Sequence, residues 1–578
     1  LGRKLADPEI ACLAALVFLH DIGKLAPGFQ AKGWPAGHGL RLRGHLECGW
    51  YWLTRAGPGS MAGALLHLRH WPGVRAWFAA LFAHHGRPVP EPAKGEAAAA
   101  FPDLPGYDWR AEEAVMGRAF LAWFPDIREA APPAPEPAFL HFICGLITLA
   151  DWVGSDRAAF PFEAEFRESY WQTARRQAAL RLREIGLGGG SSLRGAPGWD
   201  LISAHPAPRP AQLALGALPS DEHLVLLEAE TGSGKTEAAL WRFAMLVAAG
   251  EVEALYFAVP TRAAARQLHG RVNRTLKRMF DPAPEAVLAI PGQALAGEAR
   301  GQRLPDFSTR WDDGEDSPAR WAAEHSARYL AARVAIGTVD QVALGGLHVK
   351  YAHLRGSALS RALLVIDEAH ASDPYMVEVQ NSLVQSHVAS GGHVLLMSAT
   401  LGAAARRKWR KEAPSDLATD AARAYPAVWT SRGLLPVAPD ANATKTVHVR
   451  AEAGWTGADA ARLALQAAGQ GARVLVIRNT VVRAQETFAA CREMAPELLL
   501  AINGTPTLHH SRFAVEDRAL LDAAVEGAIG KDSPRGGRIV IGTQTLEQSL
   551  DLCADLLISD LCPMDVLLQR VGRLHRHQ

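Results

Sequence analysis

Two groups of residues in this 578-residue sequence have the types and spacing to work on phosphate. The first is the pair His20-Asp21, followed by His45, the pair His84-His85, and Asp151. Imidazole nitrogens and carboxylate oxygens are transition-metal ligands, and a carboxylate such as Asp21 can bridge two ions. Two metals about 3.5–4 Å apart can activate water and stabilise both oxygens of a phosphodiester during in-line displacement. Lys24 is placed to hold a non-bridging phosphate oxygen. The chain has 22 histidines, so a His-His pair also arises by chance, as His509-His510 illustrates. The weight rests on the ordered set, His-Asp, His, His-His, Asp, on helix-rich ground.

The second group is Ala229-Glu230-Thr231-Gly232-Ser233-Gly234-Lys235-Thr236. It follows the apolar run Leu224–Leu227 and opens a helix, as a phosphate-binding loop must. Gly232 and Gly234 let backbone N–H groups approach phosphates, Lys235 brings a point charge to the β/γ oxygens, and the Thr236 hydroxyl suits magnesium. Thr231 and Ser233 complete the loop, and Ala229 stands where the general pattern has its first glycine. Farther on, Val365-Ile366-Asp367-Glu368 delivers two carboxylates from a buried strand. Asp367 suits magnesium, and Glu368 suits positioning and deprotonating the attacking water.

The elements that must position these residues follow from the apolar pattern. Before residue 186 the spacing is helical, around Ile10–Leu19, Met61–Leu68 and Phe139–Trp152. Pro132, Pro133, Pro135 and Pro137 form a stiff connector between helical stretches. Gly188-Gly189-Gly190-Ser191-Ser192 reads as the core of a flexible interdomain linker. After it, short apolar runs alternate with helical segments: Leu224–Leu227, Leu255–Val259, Leu363–Ile366, Val394–Met397, Val474–Ile477 and Ile539–Ile541. That alternation predicts parallel sheets in an α/β fold. The expected architecture is multidomain: an all-α metal domain over 1–185, a linker over 186–207, and two α/β lobes over 208–430 and 431–578. The irregular stretch Pro414–Thr446 is expected to join the lobes.

Composition excludes several classes. Hydrophobic content of 48% and charged content of 21% describe an ordinary globular chain. The apolar runs Ala11–Leu19 and Phe142–Ala150 are too short to span a bilayer, so no membrane partner is expected. The six cysteines include no C-x-x-C pair, which argues for a reducing compartment and against a zinc ribbon. A cytoplasmic monomer is expected. The net charge of +1 does not decide on nucleic acid, because a strand groove needs only a local positive lining. Arg271, Arg274, Lys277 and Arg278, and the run Arg406, Arg407, Lys408, Arg410 and Lys411, read equally as phosphate contacts or as solvated helix faces.

Further segments fall in the order of a superfamily 2 helicase motor. Pro208-Arg209-Pro210-Ala211-Gln212 resembles the Q motif, in which Gln212 would read adenine. Thr261-Arg262 and Gly337-Thr338 resemble strand-contacting motifs of a first lobe. Ser398-Ala399-Thr400 resembles the motif coupling hydrolysis to lobe movement. The segment from Gly542-Thr543 to Asp551 resembles motif V, and Gln569-Arg570-Val571-Gly572-Arg573-Leu574-His575-Arg576 resembles motif VI. In such a motor ATP and Mg2+ sit between the lobes, with Gln569 close by and Arg573 and Arg576 as arginine fingers on the γ-phosphate. DNA-binding roles would fall to Thr261, Arg262, Thr338 and Thr543, and coupling roles to Ser398, Thr400 and Asp551. Short motifs are individually weak, but their consistent order is not.

The segments Leu19-His20-Asp21-Ile22-Gly23-Lys24, Ala83-His84-His85-Gly86 and Ala150-Asp151-Trp152 resemble the HD nuclease domain of the CRISPR-associated helicase–nuclease of type I interference systems. The motif VI segment from Pro563 also has that family's character. The resemblance covers essentially the whole chain. It implies a metal-dependent nuclease that nicks single-stranded DNA and a motor that then moves along it 3′ to 5′. The substrate would be the strand displaced when the guide-RNA complex Cascade opens an R-loop. It further implies two transition-metal ions, Mn, Fe, Co or Ni: one held by His20, Asp21 and Asp151, the other by Asp21, His45, His84 and His85. The family also has an upstream histidine and a C-terminal domain after motif VI. Leu1 and Gln578 are therefore read as cut ends. Competing readings are an HD phosphohydrolase of small nucleotides fused to a motor, a helicase with an inactive HD domain, and an ATP-dependent helicase with no CRISPR link.

Overall fold

A computed structural model describes the chain except residues 1–2, 55–67, 69, 92, 94–98, 164, 231, 306–307, 315–316, 370–373, 440–445, 548–549 and 576–578, and the side chains of 54, 374 and 515. Most of the apolar run Met61–Leu68, together with Thr231 and Arg576, lies outside the described residues.

The N-terminal domain is helical, with α1 (Asp7–Leu19), α2 (His45–Thr54), α3 (Val74–Leu81), α4 (Trp109–Trp123), α5 (Pro137–Gly154) and α6 (Tyr170–Glu184). Helix α1 starts where Glu9 accepts the Ala6 N–H at 2.9 Å and Pro8 occupies the first turn. It buries Cys12, Leu13, Ala15, Leu16 and Leu19, the spacing of one helical face. That face packs with Trp52, Trp77, Phe78, Phe120, Ile143 and Ile147 in one core. By length and composition α5 could cross a membrane, which the short apolar run inside it does not suggest. Its apolar surface has another use: Ile143 and Ile147 join the helical core, and the opposite side rests on the next domain.

The first lobe is built on a mixed eleven-stranded sheet. Strands β1 (Leu224–Glu228), β2 (Ala254–Val259), β3 (Ala286–Ala289), β4 (Val334–Thr338), β5 (Ala362–Asp367) and β6 (His393–Ser398) run parallel in the order β1-β6-β5-β2-β4-β3. Strands β1, β2, β5 and β6 fall on the predicted apolar runs, whereas β3 and β4 lie outside them. Alternate residues feed two cores: Val225, Leu227, Leu255 and Phe257 enter one, and Leu226, Ala254, Tyr256 and Ala258 the other. Both faces are covered, as parallel strands require. The sheet edges depart from the parallel expectation. Three short antiparallel strands extend it beyond β3; at the other edge β7 (Ala427–Thr430) pairs antiparallel with β1, and β8 (Gly433–Pro436) antiparallel with β7. Part of Pro414–Thr446 thus belongs to the first-lobe sheet, which runs past residue 430. Among its helices are α7 (Lys235–Ala248), α8 (Arg262–Met279), α9 (Ala352–Leu359) and α10 (Pro374–Ala389).

The expected flexible linker is only partly one. Gly189 and Gly190 have positive φ, but Ser192–Leu193 pairs with Phe280–Asp281, and Ile202 is buried in the first-lobe core with Trp199 packed on it. Apolar side chains beyond the glycines fasten the segment down.

The second lobe carries α11 (Gly457–Gly469), β9 (Arg473–Ile477), α12 (Val481–Met494), α13 (Val515–Ile529), β10 (Arg538–Gly542), β11 (Leu556–Ser559) and α14 (Met564–Val571). Strands β9, β10 and β11 form a parallel sheet in the order β10-β9-β11, and Ala501–Ile502 pairs antiparallel with Thr505–Pro506 beside it.

Candidate metal centre and nucleotide site

His20 caps the C-terminus of α1 and Asp21 follows in the turn; His45 opens α2, His84 and His85 follow α3, and Asp151 lies on α5. The turn after Asp21 works because Gly23 has no side chain: a Cβ there would stand 1.8 Å from the His45 carbonyl oxygen. Gly23 therefore lets the His-Asp turn press against the start of α2, a role its place in the motif does not announce.

The donors converge. His20 Nε2 lies 3.3 Å from Asp21 Oδ2 and 3.4 Å from Asp151 Oδ1. His45 Nε2 lies 3.2 Å, and His84 Nε2 4.0 Å, from Asp21 Oδ1. His20, Asp21 and His84 form one group able to hold a metal ion, and His45, His84 and His85 a second. All six residues expected from the sequence are thus brought together, with Asp151 beside His20. Lys24 is ion-paired with Asp21.

The donor set fits metal on two independent grounds. His20 Nδ1 donates to the Val17 carbonyl at 2.6 Å, and His84 Nδ1 to that of Leu81 at 2.7 Å. Anchoring Nδ1 on a carbonyl leaves Nε2 facing inward, the usual support for a metal-binding imidazole. In addition Asp21 Oδ1, His45 Nε2 and His84 Nε2 are buried and make no hydrogen bond within the protein, although they face one another. Buried polar atoms without partners are costly unless something else satisfies them. Burial also lowers the His45 pKa to about 4 and pushes that of His84 down, so both are neutral at neutral pH. Burial disfavours the charge on His20, but Asp151 and Asp21 outweigh it and hold its pKa up at about 9. Burial likewise opposes the Asp21 charge, and His20 and Lys24 overcome it, holding the carboxyl well below its usual range.

In the motor, the phosphate loop joins β1 to α7. Gly232 and Gly234 take φ of 89° and 81°, where a side chain would strain the backbone. A Cβ on Gly234 would also meet Gln212 Nε2 at 2.1 Å. Gln212 is buried and donates to the Gly234 carbonyl at 3.1 Å, while its Oε1 accepts from Arg209 N at 2.8 Å. It braces the loop directly. Lys235 Nζ donates to the Ala229 carbonyl at 3.2 Å, and Ser233 is buried beside it. Asp367 ends β5, and Glu368 follows at φ 53°, an uncommon conformation for a non-glycine residue, with its N–H on Asp367 Oδ1 at 3.0 Å. Burial and the adjacent Glu368 charge raise the Asp367 pKa. A magnesium ion would relieve that repulsion.

The remaining motor residues are placed as follows. Thr261 caps α8, accepting Ala264 N at 3.1 Å, with Arg262 exposed beside it. Thr338 and Thr543 are buried at the ends of β4 and β10, with little side-chain surface for a strand. Ser398 Oγ accepts the Thr400 N–H at 2.9 Å. Asp551 N donates to Glu526 at 3.0 Å, and Glu526 also accepts from Gln267 of the first lobe at 2.9 Å. Gln569 is half-buried on α14. Arg573, expected as an arginine finger, is buried in its own lobe and donates to the Leu550 carbonyl at 2.5 Å and to that of Glu547. Most of the run Arg406–Lys411 proves structural: Arg406 is buried against Glu228 and Asp420, Lys408 pairs with Glu378, and Arg410 with Glu412.

Two residues that sequence reasoning passes over matter here. Arg570 is fully buried and donates to Glu547 at 2.6 Å, to Ser559 Oγ at 2.7 Å and to Asn479 Oδ1 at 2.9 Å, tying α14 to the ends of β9 and β11. Its signal was its place in motif VI. His509, half of a pair set aside as chance, bridges Thr545 and Asp522 at 2.7 Å each and so fixes the segment after β10.

A helical HD metal centre packed on a two-lobed helicase motor is the class of protein that fold and site define. The family described as "Cas3, HD domain" matches residues 4–160, "DEAD/DEAH box helicase" residues 209–407, and "CRISPR-associated nuclease/helicase Cas3, C-terminal" residues 470–578. CRISPR-associated endonuclease/helicase Cas3 of Thermus thermophilus is 31% identical over 99% of this chain and 67% of its own length. The chain belongs to the Cas3 family. Its Escherichia coli relative is 29% identical over 98% of this chain and 68% of its own. T. fusca Cas3 solved with ATP is 26% identical, with a TM-score of 0.75 over 98% of this chain and 67% of that one. The chain thus spans about two thirds of the length of these relatives.

Proposed function

We propose that this chain is the nuclease and motor of a type I CRISPR interference system: it cuts single-stranded DNA at the HD centre and hydrolyses ATP to draw the strand along, 3′ to 5′. The observation that carries the reading is the convergence of Asp21 Oδ1, His45 Nε2 and His84 Nε2, buried and without hydrogen bonds, in a chain whose other half is a helicase motor. His20, Asp21 and Asp151 would hold one transition-metal ion, Mn, Fe, Co or Ni, and Asp21, His45, His84 and His85 the other. Such ions supply Lewis-acid charge to a phosphodiester and lower the pKa of an attacking water. Asp21 orients both ligand groups from the centre. Lys24 offers its ammonium to a phosphate oxygen once Asp21 is otherwise engaged.

At the motor, the phosphate loop and Lys235 receive ATP, Thr236 and Asp367 take its magnesium, and Glu368 accepts the proton of the attacking water. Closure of the lobes would carry Arg573 and Arg576 towards the γ-phosphate, which requires Arg573 to exchange its present carbonyl partners. The substrate would be the displaced strand of an R-loop and the loader a guide-RNA surveillance complex, Cascade, in the cytoplasm; the relatives' names, CRISPR-associated nuclease/helicases, support the CRISPR role itself.

The test is degradation of circular single-stranded DNA with Mn2+ or Ni2+, with and without ATP, by the parent chain and by His20→Ala and Asp21→Ala. Metal-dependent cleavage lost in both variants is expected. Cleavage of small nucleotides but not of DNA would replace the reading with a phosphohydrolase.

A further inference from the structure

Among the described residues, helix α9 of the motor packs along α5 of the HD domain more extensively than any other pair of helices. The two backbones nearly touch: a Cβ on Gly145 would lie 2.1 Å from Ser357 Oγ and 2.2 Å from the His353 carbonyl oxygen. Ser357 Oγ donates across the contact to the Phe142 carbonyl at 2.6 Å.

A second polar chain runs to the metal centre. His353 Nε2 lies 3.0 Å from Thr148 Oγ1, which in turn lies 2.9 Å from the carbonyl oxygen of His84 and 3.0 Å from that of Cys144. A hydroxyl has one proton. With that proton directed to a carbonyl, His353 must donate from Nε2. Thr148 and His84 are fully buried. The same turn is held from its other end: Tyr351 N donates to the Gly86 carbonyl at 3.3 Å. Beside Asp151, Trp152 packs edge-on against Tyr351 and His325 of the motor, with Arg328 over its ring at 4.9 Å. The turn that carries His84 and His85 is therefore gripped by the first three residues around the start of α9. From there α9 leads directly into β5, which ends at Asp367.

Resting on the metal-centre reading above, we propose that Thr148 and His353 are positioning residues for the HD centre. The motor lobe, acting through the Thr148 hydroxyl on the His84 backbone, holds the ligand turn in its metal-binding geometry. The metal affinity of the HD domain is then a property of the HD–lobe 1 pair.

The test uses the full 578-residue chain titrated with Co2+, whose visible absorption reports ligand geometry. Thr148→Val, which keeps the shape but loses the hydroxyl, is expected to bind Co2+ about 10- to 100-fold more weakly, as loss of outer-shell support does. Its absorption band should shift while ATP hydrolysis stays at the parent rate. Thr148→Ser should restore both affinity and spectrum, and His353→Leu should reproduce the valine variant. Thr148→Val with parent-like affinity and spectrum would overturn the proposal. So would weakened binding accompanied by lost thermal stability that serine does not rescue, since the threonine would then only fill space. A parent chain that binds no Co2+ would overturn the metal-centre reading as well, an outcome distinct from the other two.

Discussion

At the HD centre, ligands from α1, α2, α5 and the turn after α3 already stand within a few ångströms of one another, held by rigid helices and backbone carbonyls. At the nucleotide site, the phosphate loop, Asp367 and Glu368 belong to one lobe, whereas Arg573 belongs to another and is occupied there by the Glu547 and Leu550 carbonyls. The ligands described at the first centre stand together without movement. On the proposed reading, the second would be completed by a lobe movement in which Arg573 changes partners. A site that only needs to cut gains from preorganisation. A site that converts hydrolysis into motion needs a state in which its parts are separated.

That comparison can be broken at its strongest point by Asp21→Ala. Asp21 faces His20, His45 and His84, so its loss should lower metal-dependent DNA cleavage on the order of 1000-fold or more, because even outer-shell partners cost 10–100-fold. ATP hydrolysis should be unchanged; a matching fall in ATPase would show that the centres are not separable in this way. Glu368→Gln is the converse. Loss of the general base should lower ATP turnover by about 100- to 1000-fold, while nicking of single-stranded DNA with Mn2+ persists and only extended degradation stops.

Smaller effects sharpen the contrast between lobes. Arg570→Ala leaves Glu547 buried without its partner and should cost about 3 kcal/mol of second-lobe stability, read as a lowered midpoint in urea with the HD domain's Co2+ spectrum intact. Gln212→Ala removes one brace of the phosphate loop and should weaken ATP binding by about 1 kcal/mol, the worth of a single hydrogen bond. That is measurable as a several-fold rise in the KM for ATP with little change in kcat.

Much of the fold was legible because buried parallel strands write themselves as apolar runs. Leu363–Ile366 and Val394–Met397 could be read as β5 and β6 because both faces of each strand are covered. β7 and β8 were not legible, because the stretch 414–446 lacks periodicity and its strands are defined by pairing, β7 with β1 and β8 with β7. The linker misled for a related reason. Its glycines announce flexibility, but Trp199 and Ile202 find a core that only the folded lobe provides. The basic run at 406–411 was ambiguous until Glu228, Asp420 and Glu378 appeared beside it.

Residue types and spacing alone marked the candidate chemistries: His20-Asp21 with its later histidines and Asp151 as candidates for metal, and the loop from Glu230 to Thr236 with Asp367-Glu368 as candidates for ATP. Residue type and local spacing decide those, because ligand and phosphate chemistry depend on short-range geometry within a turn or a strand end. The tertiary structure alone decided that Gly23 lets the His-Asp turn meet α2, that Arg570 binds motif VI to the strand ends, and that Thr148 and His353 join a motor helix to a metal ligand. Those contacts link residues up to 205 positions apart, and no local pattern encodes a distance that only packing brings to 3 Å.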